Sequence, residues 1–363
     1  MSFDRLKPYN DLPQLPPRCE LETKAVLKQS INAHKALGML KGYAQILPNQ
    51  ALLINGIVLQ EARLSSEIEN IVTTNDELYQ GASDDTNTTP HTKEVLHYRE
   101  ALWQGFNSLL KRPLSINTFI EIFQIIKQTD AGIRKTTGTK ISNGNETLYT
   151  PPEGENIIRE KLANIEEFIH AEDDLDLLVK MAIIHYQFEA IHPFTDGNGR
   201  TGRIINILYL IEKGLLDVPV LYLSHYIIQH KNQYYENLRK VTEEDDWENW
   251  ILYMLRAIEV TAKQTQEKII AIQELMEKTQ EIAKEKAGKA YSKELVELIF
   301  EHPYCKVKFL QERGLAKRQT GAEYLKTFES LSLLQSQKVG REIYYINDAL
   351  IQILSSDIIA QKN

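Results

Sequence analysis

Between positions 192 and 203 the stretch HPFTDGNGRTGR gathers one histidine, one aspartate, one asparagine, three glycines and two arginines. Gly197, Gly199 and Gly202 give the chain the backbone freedom a reversal needs. Successive N–H groups in such a turn, opening into a helix N-terminus, form a concavity that binds anions. The missing Cβ atoms let phosphate oxygens approach the main chain. Arg200 and Arg203, three apart, share one helix face, and two guanidinium forks beside an anion nest suit a polyphosphate better than a single phosphate. Asp196 sits badly among phosphates unless a metal bridges them, and Mg²⁺ works with one or two carboxylates plus phosphate oxygens. His192 is then left to accept the proton of an incoming hydroxyl, a role worth about 10²–10⁴-fold in rate. Phe194 reads as a core anchor for the loop. Taken singly each residue has a structural explanation; the combination points to a phosphate site with a proton acceptor beside it.

Helices must position these groups. Residues 174 to 190 are strongly apolar (Leu177, Leu178, Met181, Ile184, Phe188) and deliver the chain to His192, and a second apolar helix leaves from about Thr201 to Lys213. Upstream, helical spacing covers 20–46 and 49–64, with Pro48 between them. The polar run 80–92 reads as a loop, followed by helices over 93–110 and 115–128. TKISNGNETLY has two short runs around Asn143-Gly144, a hairpin-turn dipeptide, and ends at Pro151 and Pro152. Further helices are expected over 225–241, 246–263 and 263–287, the last highly charged. After these come helices over 292–301, 306–313 and 318–331, then QKVGREIYYIN as a β-hairpin, the order of a winged helix-turn-helix.

The bulk properties narrow the class. The chain has 363 residues, 42% apolar and 25% charged, with net charge −8; this is a globular profile with no general attraction for nucleic acid or anionic membrane. Cys19 and Cys305 have neither metal-ligand spacing nor a disulfide framework. The N-terminal MSFDRLKPYNDLPQLPP lacks an apolar signal core, and no apolar run reaches membrane-spanning length, so a cytoplasmic protein without membrane contact is expected.

The twelve residues match the Fic-domain signature HPFxDGNGRxxR at every specified position, and the resemblance runs from about 96 to 265. It implies a mainly α fold: a Fic-type helical core with a β-hairpin flap, an N-terminal helical segment and a C-terminal winged helix-turn-helix. The expected division is 1–92, 93–265, a helical connector over 266–289, and 290–363. Most proteins of this kind transfer AMP from ATP to protein hydroxyls. By position, His192 would be the general base and Asp196 would hold Mg²⁺. Gly197, Asn198, Gly199 and Arg200, with Thr201 and Gly202 in the same turn, would line the α- and β-phosphates, and Arg203 would reach the γ-phosphate. A phosphate-transferring branch carries lysine at the position of Gly199, so Gly199 favours AMP transfer. The hairpin would be the flap, about 136–150, that pins a protein target by strand addition. NQYYENLRKV resembles the segment near the adenine, which makes Tyr234 and Tyr235 either base contacts or aromatic packing on an amphipathic helix.

SSEIEN, residues 65 to 70, matches the inhibitory motif of the same family, a Ser or Thr followed four residues later by Glu and then Gly or Asn. Ser65, Glu69 and Asn70 occupy the fixed positions. A carboxylate there would pair bidentately with Arg203 and take the γ-phosphate's place. The alternative is a surface glutamate. In the C-terminal part, residues 284–347 carry 12 Lys/Arg against 8 Asp/Glu, and LAKRQTGAEYLKTF resembles a recognition helix beginning at Lys317, Arg318 and Gln319. Winged helices serve DNA binding, protein contacts or homodimer formation, and these stay open. The leading expectation is a self-inhibited adenylyltransferase that modifies Ser, Thr or Tyr hydroxyls of targets and of itself. The alternatives are a nucleotide-sensing DNA-binding regulator and a hydrolase that removes AMP, with Glu69 positioning a water.

Overall fold

A computed structural model describes residues 3–46, 50–83, 88–144 and 146–355. Its centre is a pair of antiparallel helices, Leu177–Ile191 and Asn198–Glu212. The first is apolar on every side, so it can only be a central helix, and all but two of its 15 residues are buried. Asp176 caps it, accepting the N–H groups of Leu178 and Val179. The pair packs closely because Gly202 has no side chain: a Cβ there would lie 2.5 Å from Glu189 Oε1 and 3.1 Å from Phe188 Cδ1.

The other elements wrap this pair. In chain order they are α1 (Lys24–Ile46), α2 (Gln50–Ile68), α3 (Asn75–Ser83), α4 (Pro90–Leu109), α5 (Ile116–Lys127), the hairpin β1 (Ile141–Asn143) and β2 (Glu146–Tyr149), and α6 (Glu155–His170). The central pair are α7 and α8; then follow α9 (Leu223–Gln229), α10 (Lys231–Glu244) and α11 (Trp247–Lys286). Gly105 of α4 lets that helix cross α8, a Cβ there meeting Leu208 at 2.6 Å. Trp250 of α11 is fully buried and donates its indole N–H to Ala182 O at 2.8 Å. Residues 3–15 form an arm along the flap: Tyr9 N–H donates to Thr150 O, Thr150 Oγ1 to Arg5 O, and Arg5 pairs with Glu146.

The C-terminal part contains α12 (Lys293–Glu301), β3 (Tyr304–Cys305), α13 (Val307–Glu312), α14 (Arg318–Ser330), β4 (Gln335–Val339), β5 (Glu342–Ile346) and α15 (Asp348–Ser355). Its antiparallel sheet has the order β3-β5-β4, which completes the winged arrangement. It packs directly on the N-terminal helices. Tyr304 stacks on Tyr79 at 5.8 Å, and Gly56 of α2 faces Leu354, where a Cβ would come within 2.8 Å.

Several expectations are corrected. The two helices expected over 246–263 and 263–287 are one 40-residue helix, α11, because no Gly or Pro interrupts its buried stripe through Ile269, Ile272, Met276 and Ala283. The expected helix over 225–241 breaks at His230 into α9 and α10. Helix α3 continues to Ser83 and α4 starts at Pro90, so the connection is shorter than 80–92; residues 84–87 lie outside the described residues, as do Pro48 and the end of the chain beyond Ser355. Asn143 belongs to β1 and pairs with Glu146, so the chain turns after Asn143 rather than at it, with Gly144 at φ +60°. Helices α3 and α6, strand β3 and helix α15 were not anticipated. Ile158, Leu162, Ile165 and Ile169 of α6 had the helical period that would have shown it.

Candidate active site

The loop between α7 and α8 is fixed from both ends. His192 closes α7 in a left-handed conformation, φ 49°, with its N–H bonded to Phe188 O. Arg134, 3% exposed, donates to His192 O at 2.8 Å and also to Pro152 O, while its own N–H donates to Pro193 O. Phe194 is fully buried and stacks on Phe123 of α5, ring centroids 4.2 Å apart and planes 2° from parallel. It is the core anchor expected of it. The Asn198 side chain bridges both main-chain groups of Phe194, at 2.8 and 2.9 Å, and Thr201 Oγ1 donates to Gly197 O. Both side chains are therefore spent on the loop, and because the Thr201 N–H also bonds to Gly197 O, only the main chain of Asn198 is left of the two to face a phosphate. Gly197, φ +71°, caps α8 where its first N–H groups open outward.

Arg200 and Arg203 are buried, and Glu69 links them. Glu69 Oε1 lies 2.9 Å from Arg203 Nη2 and Oε2 lies 2.8 Å from Arg200 Nε. The expected bidentate pair with Arg203 is thus corrected: the carboxylate divides between two arginines, while Ser65 occupies Arg203 Nε and shares Nη2 with Glu69. Arg203 Nε donates to Ser65 Oγ at 2.7 Å and Nη2 to Ser65 O at 2.8 Å. Asn70, φ 63°, turns the chain out of α2 immediately after Glu69. The carboxylate sits above Gly199, where a Cβ would be 2.7 Å from Glu69 Oε1. A larger residue at Gly199 would evict it.

Two further side chains enter, neither carried by a motif. Glu94 of α4 makes an ion-pair contact with Arg200 Nη1 at 2.9 Å, and its Oε1 also accepts from Lys127 Nζ at 2.9 Å. Lys127 in turn lies 2.7 Å from Asp196 Oδ2. Burial raises the Asp196 pKa, but the hydrogen bond and charge of Lys127 and the Gly197 N–H outweigh it, so the carboxylate stays below its ordinary range. The same balance holds for Glu94, which burial opposes and Lys127 and Arg200 keep ionised.

His192 is pushed down to about 4, first by burial and then by the Arg134 charge, so its imidazole is neutral at pH 7 and able to accept a proton. Glu189, one turn earlier on α7, is pushed up to about 7 by burial, with Arg203 opposing.

The structure separates the two tyrosines. Tyr234 is 2% exposed, and its hydroxyl lies 2.8 Å from His185 Nε2, so its ring packs in the core. Tyr235 is exposed and meets Tyr234 edge-on at 5.1 Å. Among the described residues no group of three or more His, Cys, Asp or Glu side chains could hold a metal ion. Asp196, more than half exposed and kept ionised, fits a Mg²⁺ ion that takes most of its other ligands from phosphate and water. No helix among the described residues is long and apolar enough to cross a membrane.

Three family models match the chain: the Fic/DOC family N-terminal model over residues 27–107, the Fic/DOC family model over 113–210, and the C-terminal domain of SoFic-like protein adenylyltransferases over 275–350. The chain is 34% identical over 149 residues to a probable protein adenylyltransferase of Aquifex aeolicus (strain VF5), covering 41% of this chain and 36% of that one. It is 28% identical over 160 residues to protein adenylyltransferase Fic of Nematostella vectensis, covering 42% and 35%. The chain thus spans about a third of the length of these curated relatives. Among solved structures, a Fic family protein from Desulfovibrio desulfuricans G20 aligns with TM-score 0.59 at 17% identity, over 91% of this chain and 98% of that one. Fic-1 from C. elegans aligns with TM-score 0.52 at 19% identity, over 69% and 74%. At these identities the structural likeness is one of fold.

Proposed function

We propose that this chain, which belongs to the Fic/DOC family, is a self-inhibited protein adenylyltransferase that moves AMP from ATP to a protein hydroxyl. The target oxygen attacks the α-phosphorus, an O–P bond forms, the α–β anhydride bond breaks, and pyrophosphate leaves. His192 takes the hydroxyl proton. The N–H groups of Asn198 and Gly199 and the Arg200 guanidinium hold the α- and β-phosphates around Gly197, whose own N–H goes to Asp196 Oδ1, and Arg203 holds the γ-phosphate. Mg²⁺, when bound at Asp196, supplies charge neutralisation between phosphates. Catalysis of this kind consists of positioning and charge stabilisation. Tyr235 is the exposed candidate for the base.

The observation that carries the reading is the place of the Glu69 carboxylate: an anion lies over Gly199, between two buried arginines, at the mouth of an anion-binding helix terminus. That is where an outer phosphate would go. With Glu69 there, the γ-phosphate subsite is closed. The test is to give wild type and Glu69→Gly ATP labelled either at the α- or at the γ-phosphate. Label that reaches protein only from the α-position supports AMP transfer; label from the γ-position would replace it with phosphate transfer.

For the flap, the arm over residues 3–10 lies beside β2, so a target segment would add to the other edge, β1. The four-part division of the chain is retained, with 1–92 carrying the inhibitor and 93–265 the chemistry. A second reading, DNA contact by the winged helix, is favoured by the exposed Lys317, Arg318 and Gln319 at the start of α14. The two free cysteines support a reducing, cytoplasmic setting.

A further inference from the structure

Six charged side chains run in alternation across the site: Asp196, Lys127, Glu94, Arg200, Glu69 and Arg203. Successive contacts measure 2.7, 2.9, 2.9, 2.8 and 2.9 Å. We propose that Lys127 is a third phosphate-binding cation of this site, held beside Asp196 by Glu94 as a positioning residue; the inference rests on the adenylyltransferase reading and adds to it two residues outside the twelve-residue motif.

Lys127 is the last residue of α5, a helix anchored by Phe119, Ile122, Phe123 and Ile126. Phe123 stacks on Phe194 of the motif loop, so the end of α5 is fixed relative to the nest. The lysine stem crosses the first glycine of that nest. A Cβ on Gly197 would lie 3.4 Å from Lys127 Cδ and 3.6 Å from Arg200 Nη2. An ammonium and a guanidinium therefore flank the same helix terminus, as a polyphosphate site requires.

The charge balance shows why the lysine is needed. As the six residues stand, three cations meet three anions. When Glu69 leaves and a nucleotide triphosphate enters, Lys127, Arg200 and Arg203 face Asp196 and Glu94, and one positive charge is left over. Without Lys127, the two carboxylates would cancel the two arginines, and the protein side chains would offer the phosphates no net charge. Lys127 can turn from Asp196 to a phosphate oxygen while keeping Glu94, because an ammonium has three donors on a flexible stem. Its partner Glu94 is shared with Arg200, so one carboxylate sets the direction of both cations.

The test uses the full chain with Glu69→Gly, and measures equilibrium binding of ATP, ADP and adenosine by calorimetry, with Mg²⁺ and with chelator. Lys127→Ala should weaken ATP and ADP by about tenfold or more under both conditions, the usual size of a lost charge-assisted contact, and leave adenosine unchanged. Lys127→Arg should keep most of the affinity, and Glu94→Gln should give an intermediate loss. Equal ATP binding by Lys127→Ala would overturn the proposal. So would a parallel loss for adenosine, which marks a structural role, or a loss seen only with Mg²⁺, which marks an effect through Asp196. Failure of Glu69→Gly itself to bind ATP would remove the enzymatic reading, and this inference with it.

Discussion

Glu69 meets Arg203 through a single carboxylate oxygen, Oε1 to Nη2 at 2.9 Å, and gives its other oxygen to Arg200. Inhibition and phosphate binding therefore share the same two guanidinium groups. Arg203→Ala should not reproduce the gain of Glu69→Gly, because it removes the inhibitor's partner and the γ-phosphate clamp together. Self-modification assayed beside Glu69→Gly should stay at or below the wild-type level. A rise matching Glu69→Gly would mean that Arg203 only restrains.

His192→Ala in the Glu69→Gly background should lower transfer by about 10²–10⁴-fold and leave ATP binding nearly intact. The pH profile gives a second reading. A base works unprotonated, so activity is lost as pH falls through its pKa, and burial together with Arg134 has pushed His192 down to about 4. The acid limb of kcat/KM should therefore lie well below the ordinary histidine value of about 6.5. An acid limb at that ordinary value would contradict the environment described for His192.

Asp196→Ala should destroy transfer, and the milder Asp196→Asn should be partly rescued by raising Mg²⁺. Titrating Mg²⁺ against rate in both variants checks the assignment. A rate indifferent to chelator would remove the metal from the mechanism.

Glu61 of α2 is 1% exposed and accepts hydrogen bonds from the N–H and hydroxyl of Ser224. Burial nevertheless pushes its carboxyl up to about 7. The folded protein then binds this proton more tightly than the unfolded chain does. Its contribution is full below the ordinary carboxylate range and is lost as pH rises from there towards 7, at up to about 1.4 kcal/mol per pH unit. Thermal unfolding of wild type and Glu61→Gln should show a stability difference that shifts in favour of the variant between pH 5 and 8. A difference constant across that range would mean that burial does not raise the Glu61 carboxyl above its unfolded value.

The sequence made legible what is local and what is carried by a motif. The helical class, α7 and α8, the flap hairpin and the winged order all follow from periodicity and turn dipeptides. Within the site, the twelve residues could be read because each type has a chemical reason at its spacing, and Glu69 because residues 65–70 resemble the family's inhibitory motif. Glu94 and Lys127 could not. They come from α4 and α5, 33 residues apart in the chain, and they meet because α4 and α5 pack against each other. Tyr234 and Tyr235 looked alike in sequence, and only the packing of α10 on α11 turns one inward against Trp250 and leaves the other exposed. The split of Glu69 between two arginines was equally hidden, as was Ser65 occupying Arg203 Nε and sharing Nη2 with Glu69.

The most direct measurement is the rate at which α-labelled ATP marks the protein, wild type beside Glu69→Gly, at equal concentration and with Mg²⁺. Two charge-assisted hydrogen bonds of about 1.5–3 kcal/mol each hold the Glu69 carboxylate in the phosphate position, and a bias of about 1.4 kcal/mol already amounts to tenfold in rate. Glu69→Gly should therefore incorporate label at least about tenfold faster than wild type. The gain should vanish when His192→Ala is added. Equal incorporation by wild type and Glu69→Gly, with an active adenylyltransferase labelled alongside, would contradict the account: Glu69 would then be an ion-pair partner of two arginines and no inhibitor.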